Sequence, residues 1–444
     1  MTFWEVAPAL IVFFVGAGLY IKICLHFPPA LVLGIVAYSM ISKSASVAYL
    51  ESAEVYLIEV DMVSHLVGAT PRLIFYNLFI FAIAISIIRW IIAWQRPAIA
   101  TRLANFGTAA YNGELRLALL ISSALLVVQV MNALASPPYA LPGSDINRQQ
   151  FWANIRFAPI ADMVGVLAIF VPAIAGAALA YGTVTNQRYF RRFSITLMLV
   201  YGVFFILTGA RFHGPLMALL FWLSSYWIVL WAFGRKLYVK RMGLWLTVAV
   251  TAFLVVGYFE IADRGITEMT GSAWDGMLYR VFALQGNVSF AADVLTGEGE
   301  SHSAALLLGD MATTLQAYMP TGLAQAYLDK GVNLAGSLPG NSIFVFGYWF
   351  GLIPMAIYAV LLGLIAGAYV YIILSGHFVL ILPSSYLCLW AYTGYTQGSF
   401  APFLDYKLLL FVGLIIGWLA FARSARHRQR PVRPHTSSAT EVRS

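Results

Sequence analysis

Eleven stretches of about twenty apolar residues follow one another along this chain, roughly 5–25, 28–48, 72–94, 115–135, 160–182, 194–210, 214–234, 243–262, 346–374, 378–397 and 404–422. Each is about long enough to cross a hydrocarbon core as a helix. The charges sort with them. When the connections are numbered alternately, one side holds 18 of the 27 Lys/Arg residues and two of the 19 acids, Glu114 and Glu441. Basic residues concentrate in cytoplasmic loops, so the reading places the N-terminus outside and the tail from Arg423 to Ser444 inside. The predicted fold class is all-α: a polytopic membrane helical bundle of about 11 transmembrane helices (10–13 by other divisions) with a large outer loop containing short helices.

Composition excludes most soluble alternatives. The chain is 61% apolar and 10% charged, against roughly 45–50% and about 25% for soluble domains. Too little polar surface remains to cover a water-soluble globule. The pI near 9.4 does not imply nucleic acid, because the excess charge lies in short turns and a tail beside anionic headgroups. Cys24 and Cys388 fall in or next to apolar segments and imply no disulfide framework. The first segment lacks a basic leader and a small-residue cleavage site, so it is expected to stay as a helix.

The pattern divides the chain into membrane helices 1–8 (residues 1–262), a loop subdomain (263–345), helices 9–11 (346–422) and a disordered basic tail (423–444). Residues 49–71 are partly amphipathic and carry Glu51, Glu54, Glu59 and Asp61; they read as a solvated helix at the interface. Within 263–345, GMLYRVFALQGNVSFAADVL and HSAALLLGDMATTLQAYM have helical periodicity with apolar faces, but are too short or too polar to span. They read as helices lying over the membrane domain and capping a cavity. Gly347, Gly351 and Pro354 offer a point at which 342–374 divides into a short helix and a full one.

Arginines on the outer side run against the charge bias: Arg72, Arg148, Arg156, Arg211, Arg264 and Arg280. Arg72 opens a span and is expected to snorkel to the interface. Arg211 sits in LTGARFHGPLM, where two spans meet with almost no loop, and His213 lies at the same level. Burying Arg in a bilayer costs about 2.5–3.5 kcal/mol on insertion scales, so such a residue is kept for a polar cavity or an anion. On a continuous helix Arg148 and Arg156 would lie within about 80° of one another. Arg264 follows Glu260 and Asp263, which offer it a local ion pair as the alternative. A guanidinium cluster at one membrane face suits phosphate or diphosphate, held through bidentate hydrogen bonds. The chain has no GxxxxGK[ST] loop, paired-Cys site, HExxH or GxSxG; Glu298-Gly-Glu300 with His302 reads as a solvated loop. No metal site and no cofactor are expected.

Three segments carry a resemblance: the spans around TGARFHGPLMALLFWL, the stretch LYRVFALQGNVSF, and LPGNSIFVFGYWFGLIPMAIYAVLLGLIAG. Together, over roughly residues 195–370, they resemble bacterial O-antigen polymerases, the Wzy-type enzymes that polymerise oligosaccharide repeat units. The resemblance implies glycosyl transfer on the periplasmic face of the inner membrane. The donor would be a glycan on undecaprenyl diphosphate, and the acceptor a hydroxyl of a second lipid-linked repeat unit. On this chain it implies catalytic roles for Arg211, Arg280 and His213, and supporting diphosphate contacts from Arg148, Arg156 and Arg264. Asp275, Asp293 and Asp310 compete with His213 as the base. Expected partners are the undecaprenyl-diphosphate-linked oligosaccharide, membrane lipids, a chain-length regulator and a flippase, with no nucleic acid. Two alternatives stay open: an O-antigen ligase-type glycan transferase, and a transporter or flippase of lipid-linked sugars. Against the transporter, the spans read as almost free of charge at their centres, and the unexplained arginines lie at one face.

Overall fold

The computed structural model describes residues 3–57, 60–140, 148–159, 161, 170–208, 213–235, 283–329 and 336–428. They form a helical bundle. Helices α1 (Phe3–His26), α2 (Gly34–Ala53, entered through a 3-10 turn at Pro28–Leu33) and α3 (Ala69–Trp94) open it. Next come α4 (Arg96–Ala104), α5 (Ala109–Leu134), the short α6 (Arg148–Ala153), α7 (Val171–Val184), α8 (Arg188–Leu207) and α9 (His213–Ala232). The later part holds four short helices, α10 (Asn287–Gly297), α11 (Met311–Tyr318), α12 (Thr321–Asp329) and α13 (Leu338–Phe350). The long α14 (Leu352–Leu374), α15 (Ile381–Gln397) and α16 (Tyr406–Arg428) close the chain.

Among the described residues eight helices are long and apolar enough to cross a membrane. Two further expected spans appear as shorter apolar helices, Val171–Val184 and Tyr406–Ala420, and the 243–262 segment lies outside the described residues. Two expectations need correction. The 49–71 segment is not one interfacial helix: its two ends belong to α2 and α3. After Ala53 the chain turns through Glu54 (φ 47°) into a two-stranded antiparallel hairpin, Tyr56–Leu57 against Met62–Val63. The tail also starts later, because α16 continues to Arg428; a helix can run on past its apolar residues, which an apolar-period reading does not register.

Among the eight spanning-length helices described, the span containing α2 is the most buried, and its sequence says why. It carries Ser39, Ser42, Lys43, Ser44 and Ser46, all buried. Polar side chains facing lipid would go unpaired, so this span is 89% buried where α1 is 11% buried. Lys43 corrects the reading of spans with uncharged centres. Helices α3 and α14 pack closely through Gly363-x-x-x-Gly367, the small-residue spacing that lets membrane helices approach.

The two ends of the bundle differ. At the base-rich end Phe106 packs against Tyr111, Tyr181 and Phe233 at 5.5, 4.5 and 4.6 Å between ring centroids. The Tyr111 hydroxyl bridges the carbonyls of Arg102 and Ser375. Arg102 Nη2 donates to His377 Nε2 over 3.1 Å. Arginine only donates, so His377 carries its hydrogen on Nδ1, 3.6 Å from Glu114 Oε1. This gives one of the two acids on that side a structural task.

At the opposite end the short helices α10–α13 lie beside the hairpin. Asp310 caps α11, accepting from the Thr313 N–H (3.0 Å) and hydroxyl (3.1 Å), and that N–H holds its carboxyl below the usual range. A depressed carboxyl stabilises the fold above its unfolded pKa and loses that contribution as the pH falls. Asp310→Ala is expected to cost about 1 kcal/mol, read as roughly fivefold faster amide exchange across Met311–Tyr318 at neutral pH. No change in exchange would remove the cap from the account.

Candidate functional site

The site grows from the first turn of α3. Gly68 takes a left-handed φ of 76° and turns the chain into the helix. The N–H groups of Val67, Ala69 and Thr70 then converge on the Glu51 carboxylate of α2, at 3.1, 2.7 and 2.9 Å. A carboxylate there satisfies donors that have no helical partner and complements the positive end of the dipole. Arg72 is thereby fixed one turn along. Its Nε and Nη2 reach Asp293 Oδ1 and Oδ2 of α10 at 2.9 and 2.5 Å, and Nη2 also donates to the Val67 carbonyl.

Asp293 is the deeper partner, 4% exposed against 37% for Arg72. Burial pushes its carboxyl up and Arg72 pulls it back. Arg72 also lies over the Tyr348 ring at 5.2 Å, and the Tyr348 hydroxyl donates to the Asp293 carbonyl over 2.9 Å. Tyr348 reaches this place because α13 kinks at Gly347 (φ 75°, ψ 175°). Residues 342–374 thus divide into α13 and α14 in the neighbourhood of Gly347 and Gly351.

Together these groups border an open cleft of about 430 Å³, lined by His65, Val67, Arg72, Asp293, Val294, Gly297, Glu298 and Tyr348. Behind Asp293 lies a void of about 10 Å³ bordered by Ser289, whose buried hydroxyl has no hydrogen-bond partner among the described residues. That is about the room one water needs. Below the cleft the interior stays polar. Lys43 Nζ donates to the Gly336 carbonyl. Asn341 receives the Tyr318 hydroxyl (2.9 Å) and donates to the Gly398 carbonyl (3.0 Å). Asn77 links Ser44 (3.1 Å) to the Tyr395 hydroxyl (2.7 Å). Among the described residues no three His, Cys, Asp or Glu side chains come close enough to hold a metal ion.

The residues singled out in the sequence fare unevenly. Arg211, Arg264, Arg280 and Asp275 lie outside the described residues, as do the side chains of Arg148 and His213. Arg148 begins α6, but that helix ends at Ala153 and Arg156 follows in a turn, so the two do not share a continuous helix. Arg156 is exposed, its guanidinium over the Phe157 ring at 5.8 Å, while its backbone N–H donates to Ser136 Oγ. Arg72, expected to snorkel, is held by a buried carboxylate. Of the carboxylates considered as bases, Asp293 is ion-paired and Asp310 is a helix cap.

His65, Tyr348 and Glu298 were not singled out as a group. They come from three segments far apart in sequence, and no spacing rule joins them. Lys43 did carry a signal, a lone cation among four serines within an apolar run.

Residues 310–412 match a protein family described as a family of unknown function (DUF6418). The match covers less than half of the chain and includes α11 to α15 with the first part of α16. No curated protein and no solved structure matches the chain.

Proposed function

We propose that this chain polymerises undecaprenyl-diphosphate-linked oligosaccharide repeat units at the outer face of a bacterial cytoplasmic membrane, in the synthesis of O-antigen or another surface polysaccharide. Its N-terminus then lies outside and its C-terminus in the cytoplasm. The observation that carries the reading is the roofed end of the bundle, where short helices beside α3 border a polar cleft next to apolar spans. Such a layout lets lipid tails stay in the bilayer while sugars sit above it. The resemblance of residues 195–370 to O-antigen polymerases supports the same reading.

The donor arrives already activated, so neither nucleotide nor metal enters the reaction. The protein's tasks are to align a hydroxyl with the anomeric carbon and to stabilise the departing diphosphate. Arg211 and Arg280 take the second task, with Arg148, Arg156 and Arg264 in support and His213 beside Arg211. Flippase and chain-length regulator are the natural partners of such an enzyme.

The test is reconstitution with a purified lipid-linked repeat unit in the presence of EDTA. Wild-type protein is expected to make polymer. Arg211→Ala and Arg280→Ala should abolish it at unchanged protein level, with Lys rescuing only in part, because a point charge does not reproduce the guanidinium fork. Full-length polymer from either Ala variant would remove that residue from the diphosphate. In cells, loss of the gene should leave lipopolysaccharide core bearing one repeat unit; bare core would instead mark a ligase.

A further inference from the structure

The cleft is poorly suited to the diphosphate. Its one arginine is neutralised by Asp293, and Glu298, exposed at its rim, adds negative charge. An anion would be repelled there; a hydroxyl-rich neutral group would not. Every sugar hydroxyl both donates and accepts, so a sugar site needs both kinds of partner with apolar patches between them.

The cleft supplies them. Nε and Nη2 of Arg72 are engaged, while Nη1 has no partner among the described residues and keeps two donors. The Glu298 carboxylate accepts. Tyr348, Val67 and Val294 offer apolar surface for C–H faces. His65 completes the set. Its Nδ1 lies 3.2 Å from the Val63 carbonyl, and a carbonyl only accepts, so Nδ1 carries the hydrogen and, in the neutral ring, Nε2 is the acceptor. The hairpin holds that tautomer, and the ring stands edge-on to Phe290, centroids 6.3 Å apart. The volume falls within the range of about 300–1,000 Å³ usual for small-molecule sites.

We propose that this cleft binds the non-reducing sugar of the acceptor, with Arg72 Nη1 and Glu298 holding ring hydroxyls and His65 Nε2 accepting the proton of the attacking one. The proposal rests on the polymerase reading above and adds the acceptor subsite to it. In the step, the acceptor O–H gives its proton to His65 Nε2 as its oxygen bonds to the donor's anomeric carbon. The anomeric C–O bond breaks, undecaprenyl diphosphate leaves with the electron pair, and His65 returns the proton to water.

The experiment uses the full chain in lipid nanodiscs, with the lipid-linked repeat unit for turnover and the delipidated repeat-unit oligosaccharide as a binding probe. His65→Ala should lower kcat by about 100-fold or more, keep oligosaccharide binding, and regain turnover with added imidazole. Glu298→Gln, at an exposed position that cannot upset folding, should weaken oligosaccharide binding by about tenfold. Wild-type turnover in His65→Ala, or a slow variant that imidazole does not restore, overturns the role of His65. Unchanged binding in Glu298→Gln overturns the subsite while leaving the polymerase reading intact. Absence of polymer from the wild-type protein overturns the polymerase reading, and with it the proton transfer.

Discussion

Replacing Arg72 with methionine is expected to lower the unfolding free energy by about 3 kcal/mol, near the low end of the range for leaving a buried charge without its partner. The cost is asymmetric. Asp293 is almost wholly buried, so without Arg72 its carboxylate loses its counter-charge and meets little water. Arg72 is more than a third exposed and can hydrate when Asp293 is removed. Asp293→Asn alone should therefore cost less, and the Arg72→Met/Asp293→Asn pair should recover much of the loss.

The pH dependence follows from the direction of the Asp293 shift. Burial already raises this carboxyl, and losing Arg72 removes the group that pulls it back. A raised carboxyl is least costly below its unfolded pKa, where it is protonated in both states, and most costly once the pH has passed the folded value. The Arg72→Met defect should thus be greatest at neutral pH and shrink in acid. Denaturant unfolding in micelles at a series of pH values measures it. A defect that does not change with pH would mean that lost packing on Tyr348, and not the unpaired carboxylate, sets the cost.

A second large effect is expected where α14 meets α3. A Cβ on Gly363 would lie 2.7 Å from Ile87 Cβ and 3.0 Å from the Ala84 carbonyl oxygen. Neither atom is a flexible side-chain end, so Gly363→Leu must push the helices apart. Overpacking of this kind costs about 1–3 kcal/mol, and rigid neighbours place Gly363→Leu at the upper end. Gly367 meets Ile91 Cδ1 instead, a terminal methyl that can rotate away, so Gly367→Ala should cost about 1 kcal/mol or less. Thermal unfolding of the two variants side by side gives the comparison. Equal losses would mean that the helix pair yields as easily at one glycine as at the other.

These residues also show what could be read early. Apolar length announced most of the spans, because twenty apolar residues have few other uses. Gly347 announced the break before α14, because glycine tolerates the positive φ that it takes there. By contrast, Arg72 looked like an ordinary interfacial arginine; its partner is 221 positions away, and nothing local to either residue predicts the pairing. The 49–71 segment reads as an interfacial helix from its partly amphipathic pattern. Its course was settled by Glu51 reaching forward to cap α3 and by the Tyr56 hydroxyl bonding Asp61 in the hairpin.

By itself the sequence determined a helical membrane bundle with an asymmetric charge distribution, since hydrocarbon excludes unpaired backbone and polar side chains over any span-length segment. Those constraints act on contiguous residues and leave their mark on composition and period. Only the tertiary structure decided that Lys43 lies inside the bundle, that Arg72 serves Asp293, and that His65, Glu298 and Tyr348 meet around one cleft. Such meetings depend on which helices become neighbours, and that is set by close packing and by pairing of buried polar groups between segments distant along the chain.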